Sequence, residues 1–320
     1  MSDSKLLETL NDRAEQLCLQ AETLASELDI EVTHFENGSK VLDFGHNRLG
    51  TNGAGVLLAK ICMADLAEIK ITRGFLPDLN MVEVETEHPV EACIAAQYAG
   101  WPFTTESYFA ICSGPARIAR GQEPILVEHG LLHKSQQLVG IFESDKMPDF
   151  ETIGSFAKDC ETPNPKVSVC VARTSSLPGT IQVVARSIET AMHKLHELDI
   201  DLRCVVRGQG NALIPPLPDG DYQALGWTND AILYGSEVKL WIRGYEGDLS
   251  ALAQQVPSRS SDDFGEPFLT IFDRYNRDFY AVDRMLFSPA KITLVDADSN
   301  EEFSAGEVRP DILKRTFGLV

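Results

Sequence analysis

Basic residues are scarce in this chain: 28 Lys and Arg stand against 48 Asp and Glu in 320 residues, a formal charge of −20. That balance argues against a nucleic-acid partner, whose phosphates need neutralising, and against an anionic membrane surface. The acid is spread without long blocks, so it reads as a solubility device that weakly favours a cationic small substrate. The seven cysteines, at 18, 62, 93, 112, 160, 170 and 204, include no CxxC pair and mostly sit in apolar patterns such as VSVCVA. An odd number of such thiols points to a reducing compartment. No apolar run approaches the length of a bilayer span, and MSDSKLLETL has no basic stretch leading into an apolar core, so a cytoplasmic protein is expected.

Familiar cofactor signatures are missing too. GxxxxGK[ST] does not occur, and Gly208-Gln209-Gly210 runs into a Pro-rich loop where a dinucleotide fold needs a helix. There is no GxSxG elbow, and Ser113 precedes Gly-Pro instead of heading a strand–turn–helix. His129 and His133, like His193 and His196, have a spacing that metals use but lack companion ligands. Neither a metal nor a bound cofactor is expected. Cys112 would need Arg117 to make a thiolate, and a buried small hydrophobe is the better reading.

What is present supports a large core: 43% of the residues are hydrophobic. The length fits two lobes, residues 1–160 and 161–320, with ETPNPK (161–166) as the best linker and a discontinuous boundary as the alternative. Residues 4–28 carry a leucine and alanine stripe at helical spacing, with Ser4 placed to cap it. Asn37-Gly38 between EVTHFE and KVLDFG marks a hairpin. Residues 89–99 read as a helix of small residues. CSGPARIARG (112–121) places Ser, Gly and Pro at the head of a short basic helix, with backbone N–H groups facing outward. VSVCVA reads as a buried strand, RCVVRGQGNAL as a strand entering a loop, and the segments on either side of Gly235 as strands. No fixed-period repeat appears. Helices and strands alternate without the rhythm of a Rossmann or TIM-barrel domain, so the expected class is a mixed α/β fold.

Within LPGTIQVVARSIETAMHKL, Pro178-Gly179 breaks the preceding run, Thr180 stands where an N-cap belongs, and one helix continues through Leu195. Val184, Ile188, Ala191 and Leu195 form its apolar stripe. Arg186 and Glu189, three apart, share a face at the stripe's edge, a position suited to a carboxylate that holds and aims a water. An intrahelical ion pair of small worth explains the same spacing. Asp230 and Asp283 are further acid–base candidates.

SGPAR, GTIQVVARSIETAMHKL, TNDAILYG and FGEPFLTIFDRYNRDFYAVDRMLFSPA occur in this order, with HPVEACIAAQYAGW before them and AGEVRPDILKRTFGL after. Taken together, the chain resembles the methenyltetrahydromethanopterin cyclohydrolases over essentially its whole length. The resemblance implies a cytoplasmic, two-lobed α/β enzyme with a substrate cleft between the lobes, commonly a homotrimer. It would serve one-carbon metabolism by interconverting the 5,10-methenyl and 5-formyl forms of a tetrahydromethanopterin-type pterin. The family's Arg-x-x-Glu falls on Arg186 and Glu189, with the glutamate as general base. Ser113, Gly114, Pro115 and Arg117, together with Asn229 and Asp230, are candidate pterin and tail contacts because backbone donors and amides suit a pterin edge. Archaeal members carry a lysine where this chain has Tyr98, a departure that fits a carrier with a less anionic tail. A cyclohydrolase for another reduced pterin or a folate, or a silent pterin-binding protein, would keep many of these features.

Overall fold

The computed structural model describes residues 3–163 and 165–319. Its strands, in chain order, are β1 (Glu31–His34), β2 (Lys40–Gly45), β3 (Glu68–Arg73), β4 (Asn80–Thr86), β5 (Trp101–Thr104), β6 (Phe109–Ser113), β7 (Gln137–Glu143), β8 (Lys166–Ala172), β9 (Val205–Leu213), β10 (Glu237–Ile242), β11 (Lys291–Asp296) and β12 (Glu302–Gly306). They make two six-stranded sheets, ordered β1-β2-β8-β7-β6-β5 and β12-β11-β10-β9-β4-β3. Both sheets mix parallel and antiparallel pairs, and neither is a Rossmann sheet or a closed barrel. The mixed α/β class expected from the sequence is the one observed.

Two compact units share the chain, and both are discontinuous. One is Met1–Ala67 with Glu91–Gln182; the other is Glu68–Val90 with Val183–Val320. The division expected at residue 160 therefore falls inside the first unit, where β8, which begins at Lys166, lies between β2 and β7 in the sheet. A Pro-rich turn looks alike in sequence whether it joins lobes or two elements of one lobe.

In the first unit the helix Leu10–Thr23 and the helix Asn52–Cys62 cover one set of sheet residues. Leu17, Leu58 and Ile61 pack there with Leu42, Val139 and Cys170. A second core gathers Trp101, Phe103, Phe142 and Phe156, with the Trp101 and Phe156 rings stacked at 4.7 Å. The leucine stripe of residues 4–28 is real, but it runs through three helical pieces, Asp3–Leu7, Leu10–Thr23 and Ala25–Leu28. The Ser4 side chain, expected as a cap, lies outside the described side chains. The hairpin at Asn37-Gly38 forms as expected, with His34 opposite Lys40 and Gly38 at φ +82°.

The small-residue helix is a π-helix over Val90–Gln97. Its chain ends on Tyr98, whose N–H donates to the Cys93 carbonyl five residues back.

In the second unit β4 and β10 alternate between buried and more exposed residues, and much of β9 and β11 does too. Val82, Val84, Val238, Leu240, Ile292 and Leu294 are buried, while Lys70, Glu83, Gln209 and Lys239 line a polar trough on the sheet. The segment before Gly235 is a correction: TNDAILYG lies in a helix, Asp221–Leu233, not a strand. A short apolar run such as AILY fits both periods, and the segments it packs against decide.

Candidate functional site

The segment holding Arg186 and Glu189 folds as two helices instead of one, Leu177–Val184 and Ser187–Glu197. Pro178 and Gly179 lie in the first turn of the former. Ser176 supplies the cap that Thr180 was expected to give: its hydroxyl accepts from the Gly179 N–H at 3.1 Å. The Thr180 hydroxyl instead donates to the Thr174 carbonyl at 2.9 Å. Proline at the start of a helix is favourable because the missing N–H would have had no partner there.

This break changes what the Arg-x-x-Glu spacing means. Arg186 is the N-cap of the second helix, at φ −88° and ψ 11°, and its carbonyl accepts the Thr190 N–H at 2.9 Å. Glu189 sits in the first turn. A side chain there lies at the positive end of the helix dipole. Arg186 is 5% exposed and Glu189 6%, so both are far more enclosed than a surface i,i+3 pair. Val184, Ile188, Ala191 and Leu195 are fully buried, as the stripe required.

The far end of this helix is anchored by Lys194, whose Nζ donates to Ser260 Oγ at 2.8 Å and to the Met285 carbonyl at 2.5 Å. Burial pulls its ammonium down to about 8 despite the attraction of Asp283 and Glu197. His193 lies 3.3 Å from Glu197, yet burial outweighs that carboxylate and lowers the imidazole to about 4. Neither histidine pair gains a ligand set: among the described residues, no group of three or more His, Cys, Asp or Glu could hold a metal. His129 caps the short helix Pro124–Glu128 and His133 lies beyond it, so their spacing is not a helical one.

Ser113–Arg117 is woven into the first unit. Ser113 ends β6, and its hydroxyl lies 3.4 Å from the Cys62 thiol. The Gly114 N–H donates to the Ala96 carbonyl, at the end of the π-helix. The Pro115 carbonyl accepts from Asn11, whose amide oxygen takes the Val139 N–H. Arg117 is fully buried. It pairs with Glu123 and donates to the Ile94 carbonyl at 2.7 Å, and its guanidinium lies 5.0 Å from the Tyr98 ring centre. The helix that follows, Ala116–Arg120, has only five residues, and the Gly114, Arg117 and Ile118 N–H groups all donate inside the unit. Three of the backbone donors of this motif are therefore engaged by carbonyls of the unit itself. Cys112 beside it is buried, which pushes its thiol well above the ordinary range and supports its reading as a core residue.

Asn229 and Asp230 belong to the helix Asp221–Leu233. The Asn229 amide donates to the Leu225 carbonyl one turn back. Asp230 accepts from the Phe268 N–H at 2.8 Å and the Thr316 hydroxyl at 2.7 Å, joining three segments of the second unit. Burial pushes its carboxyl up to about 7, against the pull of those two donors. Asp283 accepts from the Ser261 hydroxyl and caps the turn Arg284–Leu286. Both aspartates hold the fold together in these contacts. The candidates fall in both units, Ser113–Arg117 in the first and Arg186, Glu189, Asn229 and Asp230 in the second.

The model of the cyclohydrolase (MCH) family matches residues 9–317. The chain belongs to this family. It is 42% identical over 292 residues to a methenyltetrahydromethanopterin cyclohydrolase of Rhodopirellula baltica, covering 88% of this chain and 87% of that one. A protein of the same name from Methanosarcina barkeri is 38% identical over 302 residues, covering 92% and 94%. One from Methylobacillus flagellatus is 35% identical over 324 residues, covering 99% of each. Among the described residues, no helix is long and apolar enough to cross a membrane.

Proposed function

We propose that this protein reversibly hydrolyses 5,10-methenyl-tetrahydromethanopterin to the 5-formyl form, with Glu189 as general base and Arg186 as the residue that orients it. The observation that carries the reading is near-complete coverage by the family together with the shared name of its bacterial and archaeal relatives. The methenyl carrier presents a cationic amidinium carbon between N5 and N10 that is already electrophilic. The enzyme therefore has chiefly to place and deprotonate a water. Glu189 takes one proton as the water oxygen bonds to that carbon, giving a neutral carbinolamine. The C–N10 bond then breaks, N10 receives the proton held by Glu189, and the hydroxyl proton leaves as the formyl C=O forms. One proton is released overall. Arg186 and the helix dipole both keep Glu189 ionised for the first step.

Ser113, Gly114, Pro115 and Arg117, with Asn229 and Asp230, serve as the segments that shape the pterin site. Arg117 and Asp230 do so through the backbone they hold. The reading includes a homotrimer acting in the cytoplasm, for which light scattering at working concentration is the direct measurement of assembly.

Loss of the methenyl absorbance on adding enzyme tests the activity, with methenyl-tetrahydrofolate as the competing carrier. Faster turnover of the folate would replace the substrate assignment; no turnover of either would remove the reading. Glu189→Gln should lower kcat by roughly 10²- to 10⁴-fold with KM little changed, the range for loss of a positioned general base. Wild-type turnover in that variant takes Glu189 out of the mechanism.

A further inference from the structure

We infer that Gly210 is a positioning residue for the Arg186–Glu189 pair, acting through Ser187; the inference rests on the function proposed above. Gly210 is in β9, a central strand of the second sheet. Across the sheet its row reads Ile69, Val84, Gly210, Val238, Ile292, Ala305, and every member but the glycine carries an apolar, buried side chain. The glycine is thus a notch in an otherwise continuous apolar row.

The first turn of the Ser187–Glu197 helix fills that notch. A methyl group built on Gly210 would lie 2.5 Å from Ser187 Oγ, 2.9 Å from Ile188 Cγ1 and 3.4 Å from the Ile188 nitrogen. Two residues earlier, Gly208 forms a second notch, where a methyl would lie 2.9 Å from Ile188 Cγ2. Neither glycine has a positive φ, so the strand does not need them for its backbone conformation. Their use is close approach. Ser187 and Ile188 occupy the two positions between Arg186 and Glu189. The depth of the notch therefore fixes the height and roll of the very turn that carries both functional groups. A side chain at Gly210 would press on both Ser187 and Ile188, which are fully buried, so the turn has to rise or the strand has to give.

Gly210→Ala is expected to lower kcat by about tenfold to a hundredfold with KM little changed, the scale of a misplacement of order 1 Å at reacting groups. The acid limb of the kcat–pH profile should move upward, as a carboxylate loses part of the alignment that keeps it charged. Ser187→Ala by itself should retain activity, since the Ser187 hydroxyl has no hydrogen-bond partner among the described residues. Combined with Gly210→Ala it removes the shortest of the three contacts, leaving the one to Ile188 Cγ1, and should restore part of the lost kcat and return the acid limb part of the way toward its wild-type position. If Gly210→Ala fails to fold by circular dichroism, Ser187→Thr crowds the same contact from the helix side and should show the same kcat loss and limb shift. A wild-type kcat in the folded crowding variant, or a loss that Ser187→Ala does not relieve, overturns the positioning role. Glu189→Gln run alongside separates the two levels: an impaired Gln variant beside an unimpaired Gly210→Ala sinks only this inference, whereas an unimpaired Gln variant sinks the function it rests on.

Discussion

Asp230 shows how one residue can carry the signature of an active-site group and serve the fold. Its carboxyl, raised to about 7 by burial, is the kind of perturbed group that marks catalytic acids. Its two donors come from Phe268 and Thr316, both of which it ties to its own helix. The sign of its pH effect is fixed by linkage. Between about 4 and about 7 the folded chain holds a proton that the unfolded chain has lost, so this group's contribution to stability declines as pH rises through that window. Asp230→Asn can accept from the Phe268 N–H through its amide oxygen and donate its NH2 to the Thr316 hydroxyl, reversing that bond, and it removes the titration. Its stability relative to wild type should therefore climb from pH 4 to pH 8, by an amount on the order of a few kcal/mol. Thermal melts of both proteins across that range decide the matter, and a flat difference would mean that Asp230 ionises at an ordinary pH. Arg117 teaches the same lesson. It is a candidate contact by its place in SGPAR, and its guanidinium also ties Glu123 to the Ile94 carbonyl of the π-helix.

The Ser187–Glu197 helix is held at both ends, by the glycine notches of β9 near Ser187 and by Lys194 farther along. Lys194→Met should leave the Met285 carbonyl without its donor, at about 1–3 kcal/mol for a buried group. Hydrogen exchange in the turns Ser258–Ser260 and Arg284–Leu286 should quicken, and unchanged exchange there would show that Lys194 is not their anchor. A pH signature accompanies it. Because burial lowers Lys194 from 10.5 to about 8, the wild type should gain stability as pH rises between those values, and the variant should not. Much of this element was legible in advance: the stripe Val184, Ile188, Ala191 and Leu195, and the Arg-x-x-Glu spacing. The break at Arg186 was not. Neither Gly nor Pro interrupts the segment from Thr180 to Leu195, so no strong breaker marks the place. The glycines of GQG were visible as well, but without the pairing of β9 their purpose was not.

At the scale of the whole molecule, a formal charge of −20 makes self-repulsion a general term acting against the compact state. Adding NaCl from very low ionic strength to about 0.15 M shortens the screening length to about 8 Å. The melting temperature should rise over that range, because the acidic excess outweighs the loss of exposed ion pairs; a fall would show that those pairs dominate. Charge, cysteine pattern, hydrophobic periodicity and the motif order were properties of the sequence by itself, and they were enough for the mixed α/β class and the family. Each depends on residue type and near spacing, which the chain carries directly. The discontinuous units, the helical state of TNDAILYG, the inward engagement of Arg117 and Asp230 and the notch at Gly210 were decided only by tertiary structure. All four depend on which distant segments meet: Arg117 needs Ile94 and Glu123, Asp230 needs Phe268 and Thr316, and Gly210 has meaning only once Ser187 is lying against it.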